Sequence, residues 1–157
     1  MSAILLRNAR VFDGVSADCP EGMEILTEGG VIREVSAKPI KGGDARVIDV
    51  GGRTVMPGLI DAHVHAYASD LNVQKIDLAG SPYRAAHAAR MLGHALNCGF
   101  TTVRDVGGGD WSLWRAIEDR LIRAPRFLYA GKVISMTGGH GDMRQMGQSQ
   151  HSEDYCS

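Results

Sequence analysis

The sequence predicts an α/β protein: a β-rich opening segment, residues 1–54, followed by the start of a parallel strand–helix array, residues 55–157. Three observations carry this reading. Short runs rich in β-branched residues crowd the first fifty positions and are punctuated by Gly, Pro and Asp. From Thr54 onward, strand-like runs alternate with stretches of helical periodicity, the order that βαβ units and a parallel sheet produce. The chain has 157 residues, enough for one domain of ordinary size with a real core.

In the opening segment, Ala3 to Leu6, Met23 to Thr27, Val31 to Val35 and Arg46 to Val50 read as strands. Glu28-Gly29-Gly30 joins two of them at hairpin spacing. Together they look like part of a small β-sandwich. Thr54 to Ile60 is an apolar strand broken by Pro57-Gly58, and it runs straight into Asp61-Ala62-His63-Val64-His65. Ser81-Pro82 reads as a helix start, with a capping hydroxyl and a proline at the first helical position. The helix behind it sets Ala85, Ala88, Leu92, Ala95 and Leu96 on one stripe, and Gly99 ends it. Phe100 to Arg104 is the next strand. Asp110 caps a second helix with Leu113, Trp114, Ile117 and Leu121 on its inner face and Pro125 as its stop. Arg126 to Ser135 is strand-like again, and beyond Met136 the periodicity disappears. Thr137 to Ser157, polar and rich in glycine, reads as a functional loop or a cut.

Charge and hydropathy exclude several classes of function. With 17 basic against 18 acidic residues and no basic stripe, no nucleic-acid surface is expected. No apolar run approaches the roughly 20 residues that cross a bilayer, so no membrane association is expected. Met1 to Arg10 lacks the apolar length of a secretory signal, and the default location is cytoplasmic. Cys19, Cys98 and Cys156 are odd in number and far apart, which suits unrelated thiols better than a disulfide framework or a zinc pair.

The chemistry concentrates at the end of the strand that follows Pro57-Gly58. Side chains two apart on a strand share a face, so His63 and His65 aim the same way while Val64 points into the packing behind a buried strand. Two imidazoles on one face chelate a divalent cation, and borderline-soft zinc suits nitrogen ligands. A bare His-x-His is more often a pair of surface histidines. The apolar strand, the Pro-Gly break and the acid before it make this string far more specific. Two imidazoles are still an incomplete site, because catalytic zinc needs at least one more protein ligand and an open position.

Val55-Met56-Pro57-Gly58-Leu59-Ile60-Asp61-Ala62-His63-Val64-His65 resembles the strand-one signature of the amidohydrolase superfamily. Gly99-Phe100-Thr101-Thr102-Val103-Arg104-Asp105 and Thr137-Gly138-Gly139-His140-Gly141-Asp142 are similar to its peptidase-like branch. That branch holds Xaa-Pro dipeptidases (prolidases), carboxypeptidases that release basic C-terminal residues, and ochratoxin-hydrolysing amidases. The resemblance implies a (β/α)₈ TIM barrel threaded by an N-terminal β-sandwich piece, with the first three barrel strands present here. A barrel of this kind takes about 250 residues. It implies His63 and His65 as metal ligands, His140 as a catalytic residue beside the substrate, and one or two divalent ions, Zn²⁺ by preference. The branch's remaining ligands are a carboxylated lysine on strand four, two histidines on strands five and six and an aspartate on strand eight, all past residue 157. The implied reaction is hydrolysis of a C–N bond in a small peptide-like or N-acyl amino acid substrate, by a homo-oligomer. The rival expectations are another amidohydrolase, acting on cyclic amides or deaminating, and a non-catalytic N-terminal fragment.

Other residues have plainer readings. Asp61 lies on the ligand face and is expected either to orient a ligand or to cap the strand end. Asp105 and Gly107-Gly108-Gly109 read as a tight βα turn, since no GK[ST] follows to make a phosphate cradle. His87 and His94 read as surface histidines opposite the apolar stripe, and Tyr67 and Asp70 as residues near a pocket mouth. His151, Glu153 and Cys156 read as loop residues.

Overall fold

Pairing in the β-rich segment begins with its first strand, β1 (Ile4–Val11), in a computed structural model that describes residues 3–142. β2 (Met23–Glu28) lies antiparallel to β1, with Leu5 opposite Leu26. Gly29 and Gly30 then reverse the chain at φ +63 and +83, values that suit a two-residue hairpin turn, and β3 (Val31–Ser36) returns beside β2. β4 (Arg46–Asp49) pairs parallel with the first half of β1, and β5 (Thr54–Val55) pairs parallel with its far end. The register slips between Leu6 and Ala9, where Asn8 takes φ +56, a conformation its short amide tolerates.

This segment is a single five-stranded mixed sheet, with Leu5, Ala9, Ile25 and Ile40 buried. The sequence leads to part of a β-sandwich, not a complete one, and the described residues of this segment form one layer. Its hairpin and parallel additions extend one sheet sideways and fold no second sheet over it, so Val31, Ile32, Val35 and Val47 remain exposed.

The contacts divide the chain between Pro57 and Gly58. The stretch read as one strand, Thr54 to Ile60, is therefore two pieces. Thr54 and Val55 belong to the first sheet, and β6 (Leu59–Val64) opens the second. After β6 come α1 (Val73–Leu78), α2 (Ser81–Asn97), β7 (Phe100–Asp105), α3 (Trp111–Glu118) and β8 (Arg126–Tyr129). The three strands are parallel in the order β6-β7-β8, as the strand–helix alternation predicts. They are three strands of an α/β sheet, not a closed barrel.

The core of this second unit lies between the strands and helices. Ala88 and Leu92 of α2, Leu113 and Ile117 of α3, Val103 of β7 and Phe127 of β8 form one buried cluster with Ala66, Tyr67 and Ile76. The α2 stripe falls where its periodicity puts it. Three local details differ from expectation. Gly80, not the Ser81 hydroxyl, occupies the N-cap of α2, and no side chain caps it. α3 stops at Glu118 because Arg120 turns left-handed at φ +59, so Leu121 leaves the helix and is exposed. The third strand ends at Tyr129 and does not continue to Ser135. Strand β6 is also less buried than expected: it lies on the sheet edge, and Ile60 is 71% exposed. Among the described residues no helix is long and apolar enough to cross a membrane.

Candidate metal and active site

Parallel strands end on the same side, so the C-terminal ends of β6 and β7 bring residues about forty positions apart into one place. Val64 pairs with Asp105, which sets the loop after His65 beside the loop after Asp105. His63 and His65 come together as expected, their ring centroids 5.4 Å apart and their planes at 78°. Both are exposed. Val64 between them is partly buried and packs on the core.

The two imidazoles are held differently. The His65 Nδ1–H donates to the Gly107 carbonyl at 3.0 Å. With its proton held there, His65 keeps the Nε2 lone pair free to bind a cation; a ligand histidine is commonly oriented in this way. For His63 the anchor is on the backbone: its N–H donates to Asp61 Oδ1 at 3.0 Å. Of the two expectations for Asp61, the structure shows the strand-end contact.

Asp105 has a larger part than a turn residue. Its side chain is completely buried, and it accepts three backbone N–H groups: Ala66 at 2.6 Å, Gly107 at 2.9 Å and Gly109 at 3.0 Å. A buried carboxylate survives only when hydrogen bonds replace its water, and these bonds do so. The glycines are needed for room. A Cβ on Gly109 would stand 2.7 Å from Asp105 Cγ, and one on Gly107 would stand 2.5 Å from Val133 Cγ2. The Asp-x-Gly-x-Gly spacing was the signal in the sequence, but nothing in it named Ala66 as the third donor.

Tyr67 is buried, not placed at a pocket mouth. Its hydroxyl donates to Asp110 Oδ1 at 3.2 Å, and that same oxygen accepts the Leu113 N–H at 2.8 Å as the cap of α3. Burial, and then the Asp110 charge, push the Tyr67 phenol well above its ordinary value. Asp70 is exposed and forms a salt bridge with Lys75 at 3.5 Å.

His140 is exposed on a loop folded by its own contacts, with Gly138 N–H on Asp142 Oδ2 at 2.8 Å and Gly141 N–H on Ser135 Oγ at 3.1 Å. Val133 supports this loop from beneath. A Cβ on Gly141 would come 2.5 Å from Val133 Cγ1, so one valine lies against both the His140 loop and Gly107. His87 departs from the surface reading, since its ring is partly buried with Nδ1 enclosed, while His94 is exposed. Among the described residues no group of three or more His, Cys, Asp or Glu gathers to hold a metal. His151, Glu153 and Cys156 lie outside the described residues, as does most of the loop expected from Thr137 to Ser157.

A profile of the amidohydrolase family matches residues 54–156. The chain belongs to the amidohydrolase family. It is similar to ochratoxinase of Aspergillus niger, 37% identical over 92 residues that make up 57% of this chain and 19% of that one. A solved amidohydrolase superposes with a TM-score of 0.90 at 41% identity, over 97% of this chain and 37% of the other. A prolidase solved with N-methylphosphonate-L-proline superposes with a TM-score of 0.92 at 36% identity, over 99% of this chain and 40% of the other. The chain thus spans less than half the length of each amidohydrolase it matches here.

Proposed function

We propose that this amidohydrolase chain forms the strand-one end of a metal-dependent hydrolase site that cleaves a C–N bond in a small peptide-like or N-acyl amino acid substrate. In this reading His63 and His65 are two ligands of a divalent cation, zinc by preference, and the three parallel strands open a (β/α)₈ barrel. The observation that carries it is the hydrogen bond from His65 Nδ1 to the Gly107 carbonyl, which leaves Nε2 as the lone-pair nitrogen. That donor set suits zinc, which takes neutral imidazole. Similarity to a prolidase solved with a proline-bearing ligand supports a peptide-like substrate.

When bound, a divalent cation supplies an acidified water and polarises an amide carbonyl. The described residues contribute positioning. His65 keeps its proton on the Gly107 side and presents Nε2. Asp61 ties down the His63 backbone at the end of the strand. His140, an exposed imidazole on a glycine-bounded loop, is in this reading the group that hydrogen-bonds a substrate carbonyl or carboxylate.

The test is elemental analysis and a panel of dipeptides and N-acyl amino acids, run on the intact protein. Replacing His63 and His65 together with alanine is expected to lower bound metal and abolish hydrolysis. His140→Ala is expected to keep the metal and lose turnover. Full metal in the double variant overturns the ligand assignment, and activity confined to cyclic amides overturns the substrate class.

A further inference from the structure

Asp105 is the only buried charged residue among those described, and none of the ion pairs formed among them includes it. Burying a carboxylate without a cation is costly, and here three backbone N–H groups offset that cost. Its hydrogen bonds suggest what the charge is for. Oδ2 accepts the N–H of Ala66, the residue directly after His65. Oδ1 accepts the N–H of Gly107, the residue whose carbonyl receives the His65 ring. His65 is therefore held twice, through its own backbone and through its ring, and both paths end on one carboxylate. The third bond, from the Gly109 N–H to Oδ1, closes the loop around that carboxylate.

We propose that Asp105 is a positioning residue for the metal site: it fixes the Gly107 carbonyl relative to the His65 backbone and so sets the orientation and tautomer of His65. The inference rests on His65 being a ligand for its purpose, but not for its geometry. Tyr67 provides the contrast. It lies on the same rim, and its hydroxyl bonds Asp110, the residue that caps α3. A residue that merely stabilises the rim should behave like Tyr67. A residue that positions His65 should not.

The experiment is ¹⁵N spectroscopy of histidine-labelled, metal-free intact protein, at a pH above the histidine range, with zinc affinity measured in parallel. The His65 signals are assigned by their loss in His65→Ala. In the wild type, His65 is expected as one tautomer with the proton on Nδ1. In Asp105→Asn, which keeps the shape and removes the charge, a mixture of tautomers is expected, with zinc bound about 10–100-fold more weakly. Gly107→Ala is expected to do the same by another route, because the new Cβ would meet Val133 Cγ2 at 2.5 Å and displace the carbonyl. Tyr67→Phe is expected to leave both readouts unchanged. If Asp105→Asn fails to fold, Gly107→Ala carries the test. Wild-type tautomer and zinc affinity in the variants overturn the proposal, as does an equal change in Tyr67→Phe. If the wild type binds no zinc, the proposed function fails, while the tautomer comparison still decides the role of Asp105.

Discussion

Both units make most of their side-chain hydrogen bonds within a few residues, but only in the second do the long-range ones gather on one rim. In the first, most side-chain hydrogen bonds span two or three residues: Asp13 accepts from Val15 and Ser16, Ser36 from Lys38, and Asp49 from Gly51. Glu24 with Ile40 and Thr27 with Ile4 reach further, to 16 and 23 residues. In the second unit the rim bonds span 39 to 43 residues, from Ala66 to Asp105, His65 to Gly107, Arg104 to Ala62 and Tyr67 to Asp110. Short-range bonds shape a turn and would form in an isolated peptide. Long-range bonds exist only once the strands have aligned. The rim that holds His65 is thus a product of the packed sheet, and it should fail when the sheet's core fails.

Phe127 gives the largest expected effect. It is 1% exposed in the cluster beneath the rim, and a Cβ on Gly109 would come within 2.8 Å of its Cζ. Phe127→Ala is expected to cost about 3–5 kcal/mol in denaturant unfolding. Hydrogen-exchange protection at Ala66, Gly107 and Gly109 should fall together, because all three donate to Asp105. If those amides stay protected while global stability drops, the rim does not depend on the core and the contrast between the units breaks.

A smaller effect is expected at Tyr67. Tyr67→Phe removes one buried hydrogen bond and should cost about 1 kcal/mol at neutral pH. Its pH dependence is more telling. Burial first, and the Asp110 charge second, raise the folded-state pKa above the ordinary 10.0. Stability from a raised group is complete below its unfolded value and is lost as pH rises towards the folded one. The wild type should therefore lose stability progressively above about pH 10, and Tyr67→Phe should lose less. An unchanged alkaline limb in the variant would place that titration elsewhere.

The same division explains what could be read before folding. The hairpin at Gly29-Gly30, the α2 stripe and the Asp110 cap were legible because each depends on neighbours within a few residues. The pairing of His63 with His65 was legible for the same reason, being a property of strand alternation. Asp105 was not: its type and its glycines suggested a turn, and only the β6–β7 register brings Ala66 to it. Tyr67 went inward because Asp110, 43 residues on, gives its hydroxyl a partner. α1 was missed because it is only six residues long, too short to show a stripe. Leu121 was misplaced because nothing local announces a left-handed Arg120.

Asp13 offers the smallest effect and the complementary test. Its carboxylate is fully exposed and is held below the usual carboxylate range by the N–H groups of Ser16 and then Val15. A lowered group contributes stability above its unfolded value and loses it as pH falls through the folded one. Any contribution from Asp13 is therefore present at neutral pH and fades only in acid, the reverse of Tyr67. Solvent screens it, so Asp13→Ala is expected to leave the thermal midpoint within experimental scatter at pH 7. A large loss there would mean that a local turn in the first sheet bears on global stability as strongly as the long-range rim does, and the contrast between the two units would have to be given up.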